Sequence, residues 1–430
     1  MIDKQAFEAQ LLAEYTGIFD DDQASLDVYL TGISRKTLLN ATTFLLGLSN
    51  RNSAFEDPSK LLSMFFCAEN NEFANDLYKR IKSLSTKIGM TIKIITPLTA
   101  LQLFEYSFEH LNENQTQTKA EIEVNLFKAI LAQNEVNTRK QELAGPTTDH
   151  IPMPGRIPIV NLAQSLPYSE LVNYDIKEVW ACQLIKSIYL FEFLESDAKM
   201  QPVLKKFLEY FGIADWKAFL KKLIPLSLPV LKKDREAHTD IVLTADEDFE
   251  ANAAFIDKMI VQDNEVIADY DFRKTRSRPF FKMEEGTYRI IFDLFAAEIL
   301  HKGLYFKLSD INNTLPNSEK IKNIRSFYTD EFSERYLLYH MLDYIWSDGN
   351  ITFTGSQMKA TGLDAEPDYY IRQDQEMYLF ESKDILINAE IKASYDFNRH
   401  EAEFAKKLYY EEKDGHKSNK AVLQLLKNVE

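Results

Sequence analysis

Two short aromatic-rich runs near the end of the chain constrain its fold more than any other feature. Residues 366–370 and 378–383 flank the polar segment 373–376. Apolar runs of this length on either side of a polar turn are typical of a β-hairpin. We therefore expect a hairpin whose turn is centred on Asp374 and Gln375.

Charged side chains gather on one face of that hairpin. Antiparallel pairing about the turn places Asp368 opposite Glu381, and the period-two alternation of strand side chains brings Lys383 to the same face. Two carboxylates about 4 Å apart repel by roughly 4 kcal/mol at an effective dielectric near 20. A lysine or a divalent ion relieves this repulsion, and Mg²⁺ takes one or two protein carboxylates beside water and phosphate oxygens. The pattern predicts metal-assisted phosphodiester hydrolysis, with Lys383 orienting or deprotonating a water molecule.

These residues resemble a known nuclease signature. Pro367-Asp368, a hairpin-length gap and then Glu381-Ser382-Lys383 are similar to the PD-(D/E)xK motif of restriction-endonuclease-like nucleases. The resemblance implies that Asp368 and Glu381 hold Mg²⁺ or Mn²⁺, assisted by the Ser382 carbonyl. It implies that Lys383 serves the nucleophilic water and that DNA is the substrate. The motif does not separate DNA from RNA, because both present the same phosphodiester.

The Glu-x-Lys spacing itself is weak evidence in a charged chain, since residues 390–392 and 411–413 have the same form. The Pro-Asp partner and the hairpin register distinguish residues 381–383. Two other interpretations remain: a solvated hairpin whose charges meet by chance, and a catalytically inactive nuclease fold that binds nucleic acid or protein. An intact charged set disfavours the second, because a site released from catalysis need not keep an unfavourable carboxylate pair.

The elements before the hairpin fit the αβββα core that the resemblance implies. Residues 330–346 have a helical pattern that is apolar on almost all sides, which predicts a buried helix. Relatives in the family place an auxiliary metal-binding glutamate on this helix, which makes Glu334 a candidate ligand. The alternative is that Glu334 is an exposed charge in the first helical turn. Residues 350–353 would supply the first strand.

Two helices are predicted after the hairpin, at residues 399–412 and 418–429. The second has an apolar stripe, expected to be buried, formed by Ala421, Val422, Leu425, Leu426 and Val429. The resemblance implies a lysine and a glutamine near the active site on the following helix, which Lys420 and Gln424 would supply; the alternative is an ordinary solvated face. It also implies a further strand; a longer chain or a strand from elsewhere would provide it, or the domain is an unusually short one.

The composition limits the remaining functional classes. With 45% hydrophobic and 27% charged residues, the chain is expected to be globular. The longest apolar runs are too short to span a membrane, and the two cysteines have no metal-ligand spacing, so a cytoplasmic protein is expected. The 13 glycines form no Walker or GxGxxG loop.

The net charge of −16 makes the distribution of basic residues more informative than their sum. One cluster comprises Arg273, Lys274, Arg276, Arg278 and Lys282. A second comprises Lys205, Lys206, Lys217, Lys221, Lys222, Lys232, Lys233 and Arg235. Either cluster could contact nucleic acid, but a run of charges is usually a solvated helix face. Arg273, Lys274 and Arg276 are the candidate contacts.

The sequence thus predicts an α+β chain whose N-terminal and middle regions are mostly helical, ending in a restriction-endonuclease-like αβββα core. The expected regions are a helical domain at 1–144, a proline-rich linker at 145–160, a helical domain at 161–320 and a nuclease-like domain at 321–430. Double-strand cleavage would need two active sites, and hence a homodimer or a partner protein. Roles in restriction, phage defence or repair follow only by fold-level analogy.

Overall fold

The computed structural model describes residues 10–49, 57–109, 113–232, 238–262, 267, 269–346, 348–362, 366–413 and 416–429. These residues form a mixed α/β structure that is mostly helical and contains small sheets. The predicted α+β class and the predominance of helix are confirmed at this level. No helix in the described ranges is long and apolar enough to cross a membrane.

The α-helices of the described residues are α1 Tyr15–Ile18, α2 Leu26–Leu30, α3 Arg35–Ser49, α4 Pro58–Phe65, α5 Asn71–Ile88, α6 Pro97–Glu109, α7 Lys119–Glu142, α8 Arg156–Ser165, α9 Ser169–Val172, α10 Ile176–Ser196, α11 Gln201–Phe211, α12 Trp216–Ser227, α13 Phe249–Ile256, α14 Arg273–Ser277, α15 Asp293–Glu298, α16 Lys302–Thr314, α17 Ile324–Phe327, α18 Tyr339–Trp346, α19 Gly355–Ala360, α20 Ala389–Lys392, α21 Phe397–Leu408 and α22 Ala421–Val429. A π-helix, Tyr328–Leu338, joins α17 to α18 without a break. Short 3₁₀ turns add Ala68–Asn70, Pro146–Thr148, Leu228–Leu231 and Asp257–Met259.

The strands are β1 Gln10–Leu12, β2 Thr91–Lys93, β3 Asp240–Val242, β4 Phe280–Glu284, β5 Thr287–Ile290, β6 Ile351–Thr354, β7 Tyr369–Gln373, β8 Glu376–Phe380, β9 Tyr410–Lys413 and β10 His416–Asn419. β1 and β2 pair in parallel, whereas the other pairings are antiparallel. The sheet orders are β1-β2, β3-β5-β4, β6-β7-β8 and β10-β9.

The chain forms two compact units, each built from separate segments. Unit 1 comprises Met1–Pro146, Gln164–Val179 and Ile224–Ile299, and unit 2 comprises Thr147–Ala163, Trp180–Leu223 and Leu300–Glu430. The regions predicted from the sequence divide the chain differently. Within the segment 145–160, predicted as a linker, the structure has the 3₁₀ turn Pro146–Thr148 and the first residues of α8.

Unit 1 has one large apolar core. Its fully buried side chains include Tyr15, Phe104, Phe127 and Phe295, which come from helices far apart in sequence. A buried polar side chain of α7 fixes two strands to this core: the Asn134 side-chain amide donates to the backbone carbonyls of Ala13 and Ile94, both at 2.8 Å. Such a satisfied buried amide favours one packing arrangement over its competitors.

Unit 2 contains the predicted hairpin and the long helix before it. Phe332 of the π-helix is fully buried, and the Phe193 ring of α10 lies 5.6 Å from it. Phe193 also lies 5.4 Å from the Tyr336 ring. The expectation that this helix is buried on almost all sides is wrong, since Tyr344 is 88% exposed and Ile345 is 61% exposed. Its apolar residues exceed what the neighbouring elements cover.

The elements after the hairpin differ from the prediction in two respects. The helix predicted at 399–412 ends at Leu408, and the chain turns into the β9-β10 hairpin, so the predicted helix pair has strands between its members. The stripe predicted on α22 is mostly exposed: Leu426 is 55% and Val429 is 68% accessible, whereas Ala421 is buried. An apolar stripe signals burial only where another element reaches it.

Candidate active site

The predicted hairpin forms with the predicted register. β7 pairs with β8 so that Tyr369 lies opposite Phe380 and Gln373 opposite Glu376, and Asp374 and Gln375 form the turn. Asp374 adopts a left-handed backbone with φ of 51°, a conformation that aspartate tolerates better than most residues. The same register continued by one pair brings Asp368, just before β7, next to Glu381, just after β8.

The third strand and a short helix hold Asp368 in place. β6 pairs with β7 from Ile351 to Thr354, close to the predicted strand at 350–353. α19 then begins with a capping box, and the Gly355 backbone N–H donates to the Asp368 carbonyl at 2.8 Å. A Cβ on Gly355 would lie 3.0 Å from the Pro367 carbonyl oxygen. Only glycine permits this approach without a backbone shift, a requirement that the sequence pattern did not reveal.

Asp368, Ser382, Glu381 and Lys383 are brought together as predicted. The Ser382 backbone N–H donates to Asp368 Oδ2 at 2.6 Å, and Lys383 Nζ lies 2.5 Å from Glu381 Oε1. The Glu381 side chain is only 3% exposed, and its Oε2 is buried with no hydrogen-bond partner among the described residues. A buried carboxylate oxygen left unpaired is costly, so the site favours an added cation or proton there.

The charges of the site shift one another's pKa values. Burial raises the pKa of Asp368, against the lowering effect of the Ser382 N–H and of Lys383. Burial also raises the pKa of Glu381, and the charge of Asp368 adds to this. Burial lowers the pKa of Lys383, but its contact with Glu381 and the charge of Asp368 outweigh that effect and leave it raised. Lys383 is therefore a charged donor in this arrangement, and the carboxylates resist ionisation without a further cation.

Glu334 belongs to the same site. It lies on the π-helix, well inside a helix that begins at Ile324, so the alternative of an exposed first-turn charge is wrong. Burial raises the pKa of Glu334 to about 7, with a further contribution from the charge of Asp368. π-Helical segments are rare and are frequently found at functional sites. The sequence pattern indicated a helix here but gave no sign of the π geometry.

A cleft of about 500 Å³ opens beside these residues. Its lining residues are Thr329, Asp330, Ser333, Glu334, Ser382, Lys383, Asp384, Ile385, Leu386, Lys407, Ser418, Asn419, Lys420 and Gln424. The structure thus places Lys420 and Gln424 at the same cleft as Lys383 and Glu334. Lys407, Ser418 and Asn419 were not among the predicted site residues, because their convergence depends on how α21, the β9-β10 hairpin and α22 pack.

One predicted nucleic-acid contact is wrong. Arg276 is only 2% exposed, and its guanidinium donates to Glu298 at 2.5 Å and to Glu170 at 2.8 Å, all within unit 1. The guanidinium also lies 4.6 Å from the Phe295 ring centroid. A buried arginine with these partners cannot reach a phosphate.

For the other basic residues, contact with nucleic acid remains a prediction. Arg273 is exposed and Lys274 is half-buried, both on α14 of unit 1. In the second cluster, Lys205 and Lys221 are exposed on helices α11 and α12. Lys233 and Arg235 lie outside the described residues.

The oxygen ligands present suit a hard divalent cation. Asp368 and Glu381 offer two carboxylates with raised pKa values, one of which has the unpaired buried oxygen Oε2. Within the described ranges, no group of three or more His, Cys, Asp or Glu side chains is close enough to hold a metal ion. Mg²⁺ needs only one or two protein carboxylates, because it keeps several waters and takes phosphate oxygens from its substrate. The donor set therefore fits Mg²⁺ or Mn²⁺.

Neither protein-family models, nor curated proteins, nor solved structures give a match to the chain. The family resemblance of residues 321–430 consequently depends on the motif and on the geometry around it.

Proposed function

We propose that the chain is a metal-dependent nuclease of the PD-(D/E)xK class that hydrolyses phosphodiester bonds of DNA. The observation that supports this most strongly is the unpaired, buried oxygen of Glu381 beside Asp368 and Lys383, at the edge of a polar cleft. A helix precedes the three antiparallel strands and further helices follow them, with the short helix α19 between β6 and β7, and this order supports the proposed αβββα core. RNA presents the same phosphodiester, and the same cleavage assay with an RNA substrate separates the two.

The residues of the site divide the chemistry between them. Asp368 and Glu381 would hold the metal ion together with the Ser382 carbonyl, and Glu334 would be an auxiliary carboxylate beside them. When bound, the metal stabilises negative charge on the phosphoryl oxygens and lowers the pKa of water. Lys383, with its raised pKa, donates hydrogen bonds and orients the attacking water or a phosphoryl oxygen. Metal binding would also compete with the proton that Glu334 holds in part near neutral pH.

Cleavage assays with variants of the motif test this proposal. We expect DNA cleavage with Mg²⁺ or Mn²⁺, none in EDTA, and little with Ca²⁺, whose larger and looser shell positions water poorly. Asp368→Asn, Glu381→Gln and Lys383→Ala should each reduce the rate by about 10³-fold or more, because each removes several kcal/mol of charge stabilisation. Lys383→Ala should still bind DNA.

The second Glu-x-Lys sequence of the chain provides a matched control. Glu390 and Lys392 have the same spacing but lie on the short helix α20, and Glu390 is exposed. Glu390→Gln and Lys392→Met should cleave at the rate of the unaltered protein. Cleavage that persists in Lys383→Ala would contradict the assignment. A protein that binds DNA or RNA but cuts neither would be an inactive nuclease fold.

A further inference from the structure

The cleft is larger than the chemistry of the motif requires. A bound water occupies about 30 Å³, so a metal ion with its waters fills only part of the roughly 500 Å³ available. Volumes of this size are those of small-molecule binding sites. The remaining space must therefore suit a further part of the substrate.

The charged residues of the cleft come from two groups of elements. Asp330 and Glu334 belong to the π-helix and Lys383 to the segment after β8. Lys407 and Lys420 come from α21 and from the junction of β10 with α22. Asp384 is already paired with Arg325 at 2.7 Å. The ammonium groups of Lys407 and Lys420 thus add positive charge to the part of the cleft that the motif does not use.

The partner that the structure gives Lys407 is a weak one. Its Nζ lies 3.8 Å from Glu403 Oε1, one turn earlier on α21. Such an i,i+4 pair contributes only about 0.3–0.5 kcal/mol. An entering anion can take over Lys407 at little cost.

The groups around Lys407 are held in fixed positions. Ser418 and Asn419 pair with Glu411 and Tyr410 across the β9-β10 hairpin. The hairpin is closed by a hydrogen bond from the Lys420 backbone N–H to the Tyr409 carbonyl at 2.8 Å. The Gln424 side-chain oxygen accepts from the Ala421 backbone N–H at 2.8 Å, which orients the amide of that side chain. These hydroxyl, amide and ammonium groups are donors of the kind that bind phosphate oxygens.

The lining offers no platform for a base. None of the described residues that line the cleft is aromatic, whereas proteins that hold single bases usually stack them on aromatic rings. Hydroxyl, amide and ammonium groups instead suit the sugar-phosphate backbone. Contacts of this kind position a strand without reading its sequence.

We infer that Lys407, with Ser418 and Asn419, binds the phosphate next to the scissile phosphodiester. This inference rests on the proposed function and extends it: the substrate is an extended nucleic-acid strand recognised at this cleft through its backbone. Lys407 is a binding residue that the motif does not include. A strand without the flanking phosphate would fill only part of the cleft.

Binding of a fluorescent single-stranded oligonucleotide in EDTA tests this inference without depending on cleavage. Lys407→Ala should weaken binding about tenfold, the value of one hydrogen bond to a charged group. It should also reduce the slope of log K against log[salt] by about 0.7, as expected for one phosphate contact on a single strand. Lys406→Ala is the matched control, since Lys406 is adjacent on α21, exposed, and does not line the cleft. Asn419→Ala serves as a second, uncharged variant.

Oligonucleotides with one neutral methylphosphonate linkage locate the contact. Moving that linkage along the strand should reveal one position that weakens binding to the unaltered protein about tenfold but has no further effect on Lys407→Ala. Equal binding by the Lys406 and Lys407 variants, or no binding by the unaltered protein, would overturn the inference. Absence of cleavage in Mg²⁺ with Lys407-dependent binding would overturn the nuclease proposal and leave the phosphate site standing.

Discussion

Two clusters of the molecule combine carboxylates with one basic side chain, and they differ in how fully the carboxylate oxygens are hydrogen-bonded. In unit 1, Arg276 donates to both Glu298 and Glu170 and lies against Phe295. In unit 2, the ammonium of Lys383 contacts Glu381, and Asp368 and Glu334 add two more carboxylates around it. The Glu381 Oε2 oxygen remains buried without a partner among the described residues.

The difference is the one expected between a structural ion cluster and a site that binds a cation. The planar guanidinium of Arg276 has enough fixed donors to satisfy two carboxylates at once. Lys383 is a single point charge. Burial still raises the pKa values of Asp368 and Glu381 although Lys383 lowers both, and the charge of Asp368 raises the pKa of Glu381 further. A deficit of positive charge in a place reachable from a cleft is what a metal ion can correct. Three measurements test this difference.

Removal of the arginine should have the largest effect on stability. Arg276→Ala removes the guanidinium that pairs with the buried Glu298 carboxylate, and removal of one member of a buried ion pair typically costs about 3–5 kcal/mol. We expect a loss of this size in the free energy of unfolding measured with urea. Arg273→Ala, an exposed position on the same helix, should change it by less than about 0.5 kcal/mol. Equal free energies of unfolding for the two variants would mean that the ion pairs of Arg276 do not stabilise the fold.

A third carboxylate tests what happens with no cation at all. Glu105 on α6 of unit 1 is 5% exposed, and its Oε1 has no hydrogen-bond partner among the described residues. Burial raises the pKa of Glu105 to about 9, and the charge of Asp269 adds to this. The folded-state pKa of Glu105 is raised above its unfolded value, so the folded protein is favoured most when Glu105 is protonated. This contribution to the free energy of unfolding is fully present below about pH 4.5 and is lost as the pH rises toward 9.

Stability should therefore fall by about 2–3 kcal/mol between pH 6 and pH 8, at about 1.4 kcal/mol for each pH unit. Glu105→Gln should remove most of this fall in urea denaturation at the two pH values. Glu109→Gln, exposed one turn later on α6, should reduce the fall only slightly, because its charge makes the smallest contribution to the raised pKa of Glu105. A flat pH profile for the unaltered protein would show that Glu105 ionises normally.

Metal binding should give the smallest effect. At ten times its Kd, a ligand that binds only the folded state stabilises it by about 1.4 kcal/mol. Mg²⁺ should raise the thermal midpoint of the unaltered protein and of Glu390→Gln, but not that of Glu381→Gln. The same rise in Glu381→Gln would place the ion elsewhere.

The hairpin and its charged residues could be predicted because their pattern is local. A turn position and the period-two alternation fix the register of β7 against β8, and the register fixes which charges meet. These features need no knowledge of the rest of the chain. Glu334, by contrast, was a candidate ligand only because the family resemblance implies a glutamate on the preceding helix.

The features that were predicted wrongly or missed depend on residues far apart in the sequence. The sequence shows the charge of Arg276, but one of its acceptors, Glu170, lies 106 residues away. The exposure of Leu426 and Val429 on α22, and the convergence of Lys407 with Ser418 on the cleft, likewise depend on tertiary packing. Periodicity reports which side of a helix is apolar, and not whether another element covers it.

The contact between Phe193 and Phe332 makes residues 321–430 depend on an earlier part of the chain. Residues 321–430 contain every residue of the motif, yet the ring that covers the fully buried Phe332 comes from α10. A fragment that begins at residue 321 would lack Phe193. It would therefore expose the Phe332 ring and the face of Tyr336 that Phe193 contacts. A fusion of residues 321–430 to another protein would also need residues 180–223, which belong to the same compact unit. The segment is therefore not expected to fold as a simple C-terminal addition.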